Sequence, residues 1–126
     1  MYSHTTLGIK DVAKSTAFYD AVLGTLGHAR FYTFDTGAGY GADGQEQLWI
    51  LSPFDGNEAR PGNGAMVAFM ADNRFEVDKA YRAALENGGS DEGAPGLRPD
   101  YHENYYGAYM RDPDGNKLCV VCHKPG

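Results

Sequence analysis

The sequence has little that would suit a membrane, a disulfide scaffold or a nucleic acid. No apolar run approaches the roughly 20 residues that a membrane span needs. The opening MYSHTTLGIKD lacks the charged-then-apolar pattern of an export signal. Only two cysteines occur in 126 residues, so they read as reduced thiols of a cytoplasmic protein rather than as a staple. Basic residues number 11 against 17 acidic ones, a net charge of −6. Such a field repels phosphate backbones, and nucleic acid is not expected as a partner. There is no glycine-rich phosphate loop, no nucleophile elbow and no H-E-x-x-H.

What is plentiful is glycine, with 17 residues, and aromatic side chains, at 13%. Together they suit a sheet-rich protein with tight turns and a wall of rings. A hydrophobic share of 42% and a charged share of 22% are globular values, and the length fits one domain.

Along the chain, Tyr2 to Lys10 alternates weakly and predicts a strand. Asp11 is a candidate N-cap for a helix whose apolar face is Phe18, Tyr19, Val22, Leu23 and Leu26, stopped near Gly24 or Gly27. Residues 28–36 alternate rings with small or polar groups as a half-buried strand does. A turn is expected at Gly37-Ala38-Gly39, a strand at Gln47 to Ser52, and a polar loop from Pro53 to Asn63. The pattern then restarts. Ala65 to Ala71 predicts a strand, Asp72 or Asn73 caps a helix with Val77, Tyr81, Ala84 and Leu85 on its face, and Gly88-Gly89 ends it. Asp11 to Gly27 and Asp72 to Gly88 are both separations of 16. The chain therefore reads as a βαβββ module used twice, about 1–60 and about 64–126. Asp112-Pro113-Asp114-Gly115 is a turn with a mechanism, joining strands Tyr105 to Arg111 and Lys117 to His123. The turn accounts for both aspartates, and this hairpin is expected to wall the site.

His4 on the first strand, Phe18-Tyr19…Leu23-Gly24…Leu26-Gly27, Val67-Ala68-Phe69, Gly88-Gly89 and Tyr106-Gly107-Ala108-Tyr109…Arg111-Asp112-Pro113-Asp114-Gly115-Asn116-Lys117 together resemble a known group. It is the glyoxalase, bleomycin-resistance and extradiol-dioxygenase group, the vicinal oxygen chelate superfamily. The resemblance covers essentially the whole chain. It implies an α+β fold in which two βαβββ modules form a curved, mostly antiparallel sheet around a cleft, with the helices outside. It also implies a homodimer and a small-molecule ligand. In metal-using members the ligands come from the first strands of both modules and from the last strand. Those positions are His4, Met66 and Cys119 here, and a further carboxylate would fall near Leu48 or Trp49. Only His4 suits a hard divalent metal, because a thioether is a poor ligand for Fe(II), Mn(II), Ni(II) or Mg(II). The family metal site is expected to be degenerate, with no cofactor.

Imidazole, thioether and thiolate would suit copper, but no second imidazole is placed for it. Cys119-Val120-Val121-Cys122-His123 spells the C-x-x-C-H of haem attachment. On a strand, however, Cys119 and Cys122 point to opposite faces. The Tyr101-His102-Glu103-Asn104-Tyr105-Tyr106 stretch is the densest polar run, with Arg98 before it. There His102 could serve as a general acid or base, the tyrosines could stack on a ring, and Arg98 could hold a carboxylate. Trp49 lines either a cavity or the core, and Phe31, Tyr32 and Phe34 share that ambiguity.

The candidate ligand contacts are thus His4, Trp49, Met66, Arg98, His102, Tyr105, Tyr106 and Cys119, with His4 as the one candidate metal ligand. Two functions follow. One is a metal-free binding protein whose acidic charge and rings favour an aromatic or cationic molecule. The other is a metal-dependent lyase, isomerase or dioxygenase using His4 with unusual ligands such as Glu46 or His102.

Overall fold

A computed structural model describes all 126 residues. The repeat becomes two βαβββ modules. The first holds β1 (His4–Gly8), α1 (Val12–Thr25), β2 (Arg30–Phe34), β3 (Gly37–Tyr40) and β4 (Gln47–Leu51). The second holds β5 (Val67–Met70), α2 (Arg74–Glu86), β6 (Ser90–Leu97), β7 (Tyr106–Arg111) and β8 (Lys117–Cys122). No helix is long and apolar enough to cross a membrane.

The two helices start and stop by the same chemistry. Asp11 accepts the backbone N–H of Lys14 at 3.1 Å, and Asn73, rather than Asp72, accepts that of Glu76 at 2.8 Å. At the other ends the His28 and Gly89 N–H groups reach back to the carbonyls of Leu23 and Ala84. Gly27 and Gly88 make this geometry with φ of 84° and 93°, a conformation that a Cβ would penalise.

The strands form two four-stranded mixed sheets, ordered β1-β4-β3-β2 and β5-β8-β7-β6. In each, the first strand pairs parallel with the last, and the remaining pairs are antiparallel. The turn expected at Gly37-Ala38-Gly39 is instead strand β3, because those residues pair with Leu51, Ile50 and Trp49. Leu85, expected on the buried face of α2, is 39% exposed, and Ala80 takes that place in the core.

Each sheet turns one face to the helices. Ala38, Tyr40, Leu48 and Ile50 of the first sheet, and Ala108, Met110, Leu118, Val120 and Cys122 of the second, join α1 and α2 in one core. That shared core, rather than a strand pair, unites the modules.

The Asp112–Gly115 turn contributes to the same union and is more than a turn. Asp112, 3% exposed, accepts a 2.6 Å bond from the Tyr19 hydroxyl on α1. Asn116 donates to the Gly8 carbonyl at 3.0 Å, and Asp114 accepts from Lys10 N–H at 2.9 Å and from the Ser15 hydroxyl at 3.2 Å. A buried carboxylate is tolerated only when its oxygens are met by donors. Asp112 is met by Tyr19 of the other module and by Asp114 and Asn116 of its own turn, and both donors to Asp114 come from the other module.

Candidate functional site

Strand alternation leaves the second face of each sheet uncovered by a helix. On the first sheet that face carries Trp49, with Phe31, Tyr32 and Phe34 at ring-centroid distances of 5.3, 6.2 and 6.4 Å. Trp49 can lie flat because its strand partner is Gly39, where an added Cβ would come within 2.8 Å of the indole. The ambiguity over these rings resolves to an open, half-buried aromatic face.

On the second sheet the hairpin register decides what faces the opening. Tyr109 is opposite Cys119 and Arg111 opposite Lys117, so these four side chains share one face. Tyr105 closes the end, and residues 61–66 form a wall. The result is a cleft of about 980 Å³ bordered by Met66, Tyr101, His102, Tyr105, Tyr109 and His123, among others.

Inside it, the Tyr105 hydroxyl lies 2.9 Å from that of Tyr109 and 3.6 Å from the Cys119 sulfur. Burial, then the bonds to Tyr109 and Cys119, holds the Tyr105 phenol far above its ordinary range, and burial raises Tyr109 as well. Both are neutral hydroxyls at ordinary pH. Burial also raises the Cys119 thiol, against the lowering effects of the two tyrosines, Arg98 and Lys117. A buried thiol so held is a poor nucleophile. His102 accepts the Asn104 N–H on Nδ1 at 3.1 Å, which leaves its Nε2–H to donate to His123 Nδ1 at 2.9 Å. The imidazoles stack with centroids 5.1 Å apart, and both meet Tyr105 edge-on. Tyr101 packs on Tyr105 at 4.9 Å. The arrangement offers flat ring surface and neutral donors.

Of the residues singled out in the sequence, Met66, His102 and Tyr105 border this cleft, and Cys119 lies fully buried beneath it, 3.6 Å from the Tyr105 hydroxyl. Arg98 stands behind it, its guanidinium 5.6 Å from the Tyr109 ring centroid. Tyr106 does not join them. As the strand neighbour of Tyr105 it points the other way, donates to Asp78 of α2 at 2.7 Å and sits under Arg74. Trp49 belongs to the open face of the other sheet. His4 accompanies Glu46, His28 and Met66 along a second groove of about 670 Å³ between the first sheet and β5. There its Nδ1 is 2.8 Å from the Ser3 hydroxyl. Tyr109, Lys117 and His123 also line the cleft and were not among the sequence candidates, although counting by twos from Cys119 and Tyr105 places them on the same face. The C-x-x-C-H string divides as strand geometry requires, with Cys119 facing the cleft and Cys122 in the core.

The glyoxalase/bleomycin resistance protein/dioxygenase superfamily model matches residues 2–120. The chain belongs to this superfamily. A solved structure of a glyoxalase/bleomycin resistance protein from Albidiferax ferrireducens T118 is 36% identical, with 98% of each chain covered and a TM-score of 0.88. A lactoylglutathione lyase from Agrobacterium tumefaciens shares the fold at 22% identity and a TM-score of 0.68, covering 97% of this chain and 92% of its own. A genomically encoded fosfomycin resistance protein from Listeria monocytogenes does so at 20% identity and a TM-score of 0.70, covering 98% and 93%. None of the curated proteins matches the chain.

Membership of the superfamily raises the question of a divalent metal; of the three residues at the positions that the resemblance implies, only His4 offers a donor suited to a hard cation. His4 and Cys119 lie on different sheets, with Met66 alone bordering both clefts. Nowhere do three His, Cys, Asp or Glu side chains converge. A thioether and a raised, buried thiol are poor partners for a hard cation.

Proposed function

We propose that this superfamily member binds a small ring-bearing molecule in the cleft on the open face of β7 and β8. The observation that carries the reading is the Tyr105–Tyr109 pair. It consists of two neutral hydroxyls, hydrogen-bonded to each other, set among the Tyr101, His102 and His123 rings. Ring surface with a few convergent polar groups is what holds an aromatic ligand in one orientation. The absence of an activated nucleophile beside them favours binding over covalent chemistry.

A second copy of the chain is the expected partner. The open faces expose apolar side chains such as Tyr32 at 55% and Met70 at 65%, surface that a second copy would cover. Sedimentation at micromolar concentration checks this, with a monomer counting against it.

The ligand reading is tested by calorimetry with three naphthalene probes: 2-naphthoate, 2-naphthalenemethanol and 2-naphthylmethylamine. At least one should bind, prior dialysis against a chelator should leave its affinity unchanged, and Tyr109→Ala should weaken it about tenfold or more. Binding that disappears with the chelator would instead favour the metal-dependent enzyme, with His4 and the nearby Glu46 as first candidates.

A further inference from the structure

The charge of the cleft runs against that of the chain. Overall the chain carries −6, yet no aspartate or glutamate lines the cleft, while Arg111, Lys117, His102 and His123 do. Arg111 is already occupied, with its Nε 2.7 Å from Glu92 and a further bond donated to the Gly115 carbonyl. Lys117 and Arg98 are not. Neither takes part in an ion pair, although acidic side chains are in excess. The Arg98 guanidinium donates only to the Ala94 carbonyl, at 2.7 Å. Both cations converge on one ring, with Lys117 Nζ 5.7 Å and the Arg98 guanidinium 5.6 Å from the Tyr109 centroid. Either hydroxyl of the Tyr105–Tyr109 pair can donate to the other, and an acceptor beside Tyr109 selects the arrangement in which Tyr105 donates and the Tyr109 hydrogen is left for that acceptor. His102 passes its hydrogen to His123 Nδ1, so the His123 Nε2–H also remains a free donor.

Two unpaired cations and two free donors around an aromatic floor describe the complement of an anion with a ring. We propose that the cleft takes an aromatic carboxylate. Its ring packs on Tyr105 and Tyr109, and its carboxylate pairs with Lys117 and accepts from the Tyr109 hydroxyl, while Arg98 adds positive potential from behind. This rests on the binding reading above and names its ligand class. It replaces the cationic ligand that the net charge suggested. Net charge is a sum over the whole surface, whereas a ligand feels the nearest groups most within a Debye length of about 8–10 Å.

The three naphthalene probes differ in charge and little in shape, so they separate this inference from the reading beneath it. 2-Naphthoate should bind about tenfold or more tighter than the alcohol, and the amine weakest. Lys117→Met, which keeps the alkyl stem, should remove most of that preference by weakening the acid far more than the alcohol. Arg98→Met should reduce it by a few-fold, and added salt should narrow it in the unaltered protein. A melting temperature for each variant shows that it is folded. If the alcohol or amine binds as well as the acid, the carboxylate assignment is wrong while the ring-binding cleft stands. If none of the three binds, both fail.

Discussion

Replacing Tyr19 by phenylalanine removes one oxygen atom and tests what joins the two modules. The hydroxyl donates at 2.6 Å to Asp112, whose carboxyl also accepts from the Asn116 side chain at 2.8 Å and from the Asp114 and Asn116 N–H groups at 2.9 Å. Tyr19 is fully buried and Asp112 nearly so, so water cannot replace the lost donor. A hydrogen bond to a charged, buried group is worth about 1.5–3 kcal/mol. For a domain of this size a loss near 2 kcal/mol lowers the melting temperature by about 6–10 °C.

The pH dependence gives a second readout. Burial, then the Asp112 charge, holds the Tyr19 phenol well above its ordinary range. A proton bound more tightly in the folded chain contributes stability that is complete below about pH 10 and is lost as pH rises toward the folded value. Denaturant melts of Tyr19→Phe and the unaltered protein between pH 7 and 11 should therefore differ most at neutral pH and converge above about pH 10. A difference under about 0.5 kcal/mol, within the range of an ordinary surface change, or one that does not vary with pH, would refute the view that this bond joins the modules.

Two further outcomes follow from the placement of particular side chains. Cys119 and Cys122 are 0% and 1% exposed, so a thiol reagent should label neither in the folded protein and both after denaturation; rapid labelling of the native chain would contradict their burial. Tyr106→Phe should cost about 0.5–1.5 kcal/mol in stability through the lost bond to Asp78, yet leave 2-naphthoate affinity unchanged, and a change in affinity would place Tyr106 in the cleft after all.

Much of the architecture was legible because it is written in local chemistry. The caps at Asp11 and Asn73, the stops at Gly27 and Gly88 and the Asp112–Gly115 turn each depend on a few adjacent residues. Strand β6, Ser90–Leu97, was legible only through the repeat. Its SDEGAPGL sequence has no alternation and includes a proline, and it is extended because it pairs, with two register shifts, along β7. The site was half legible. The polar run 98–106 drew attention to Arg98, His102 and Tyr105, but nothing local separates Tyr105 from Tyr106.

By itself, then, the sequence determined the two βαβββ modules, the hairpin that walls the cleft and the superfamily that they resemble. These rest on periodicity and turn preference, which act over a few residues. Only the tertiary structure decided which side chains meet. Register sends adjacent tyrosines to opposite faces of a strand, and packing brings Asp112 to Tyr19 from 93 positions away. The same convergence makes a cleft without acidic residues in an acidic chain. Charge adds up along a sequence, but a ligand meets only the groups that the fold has gathered around it.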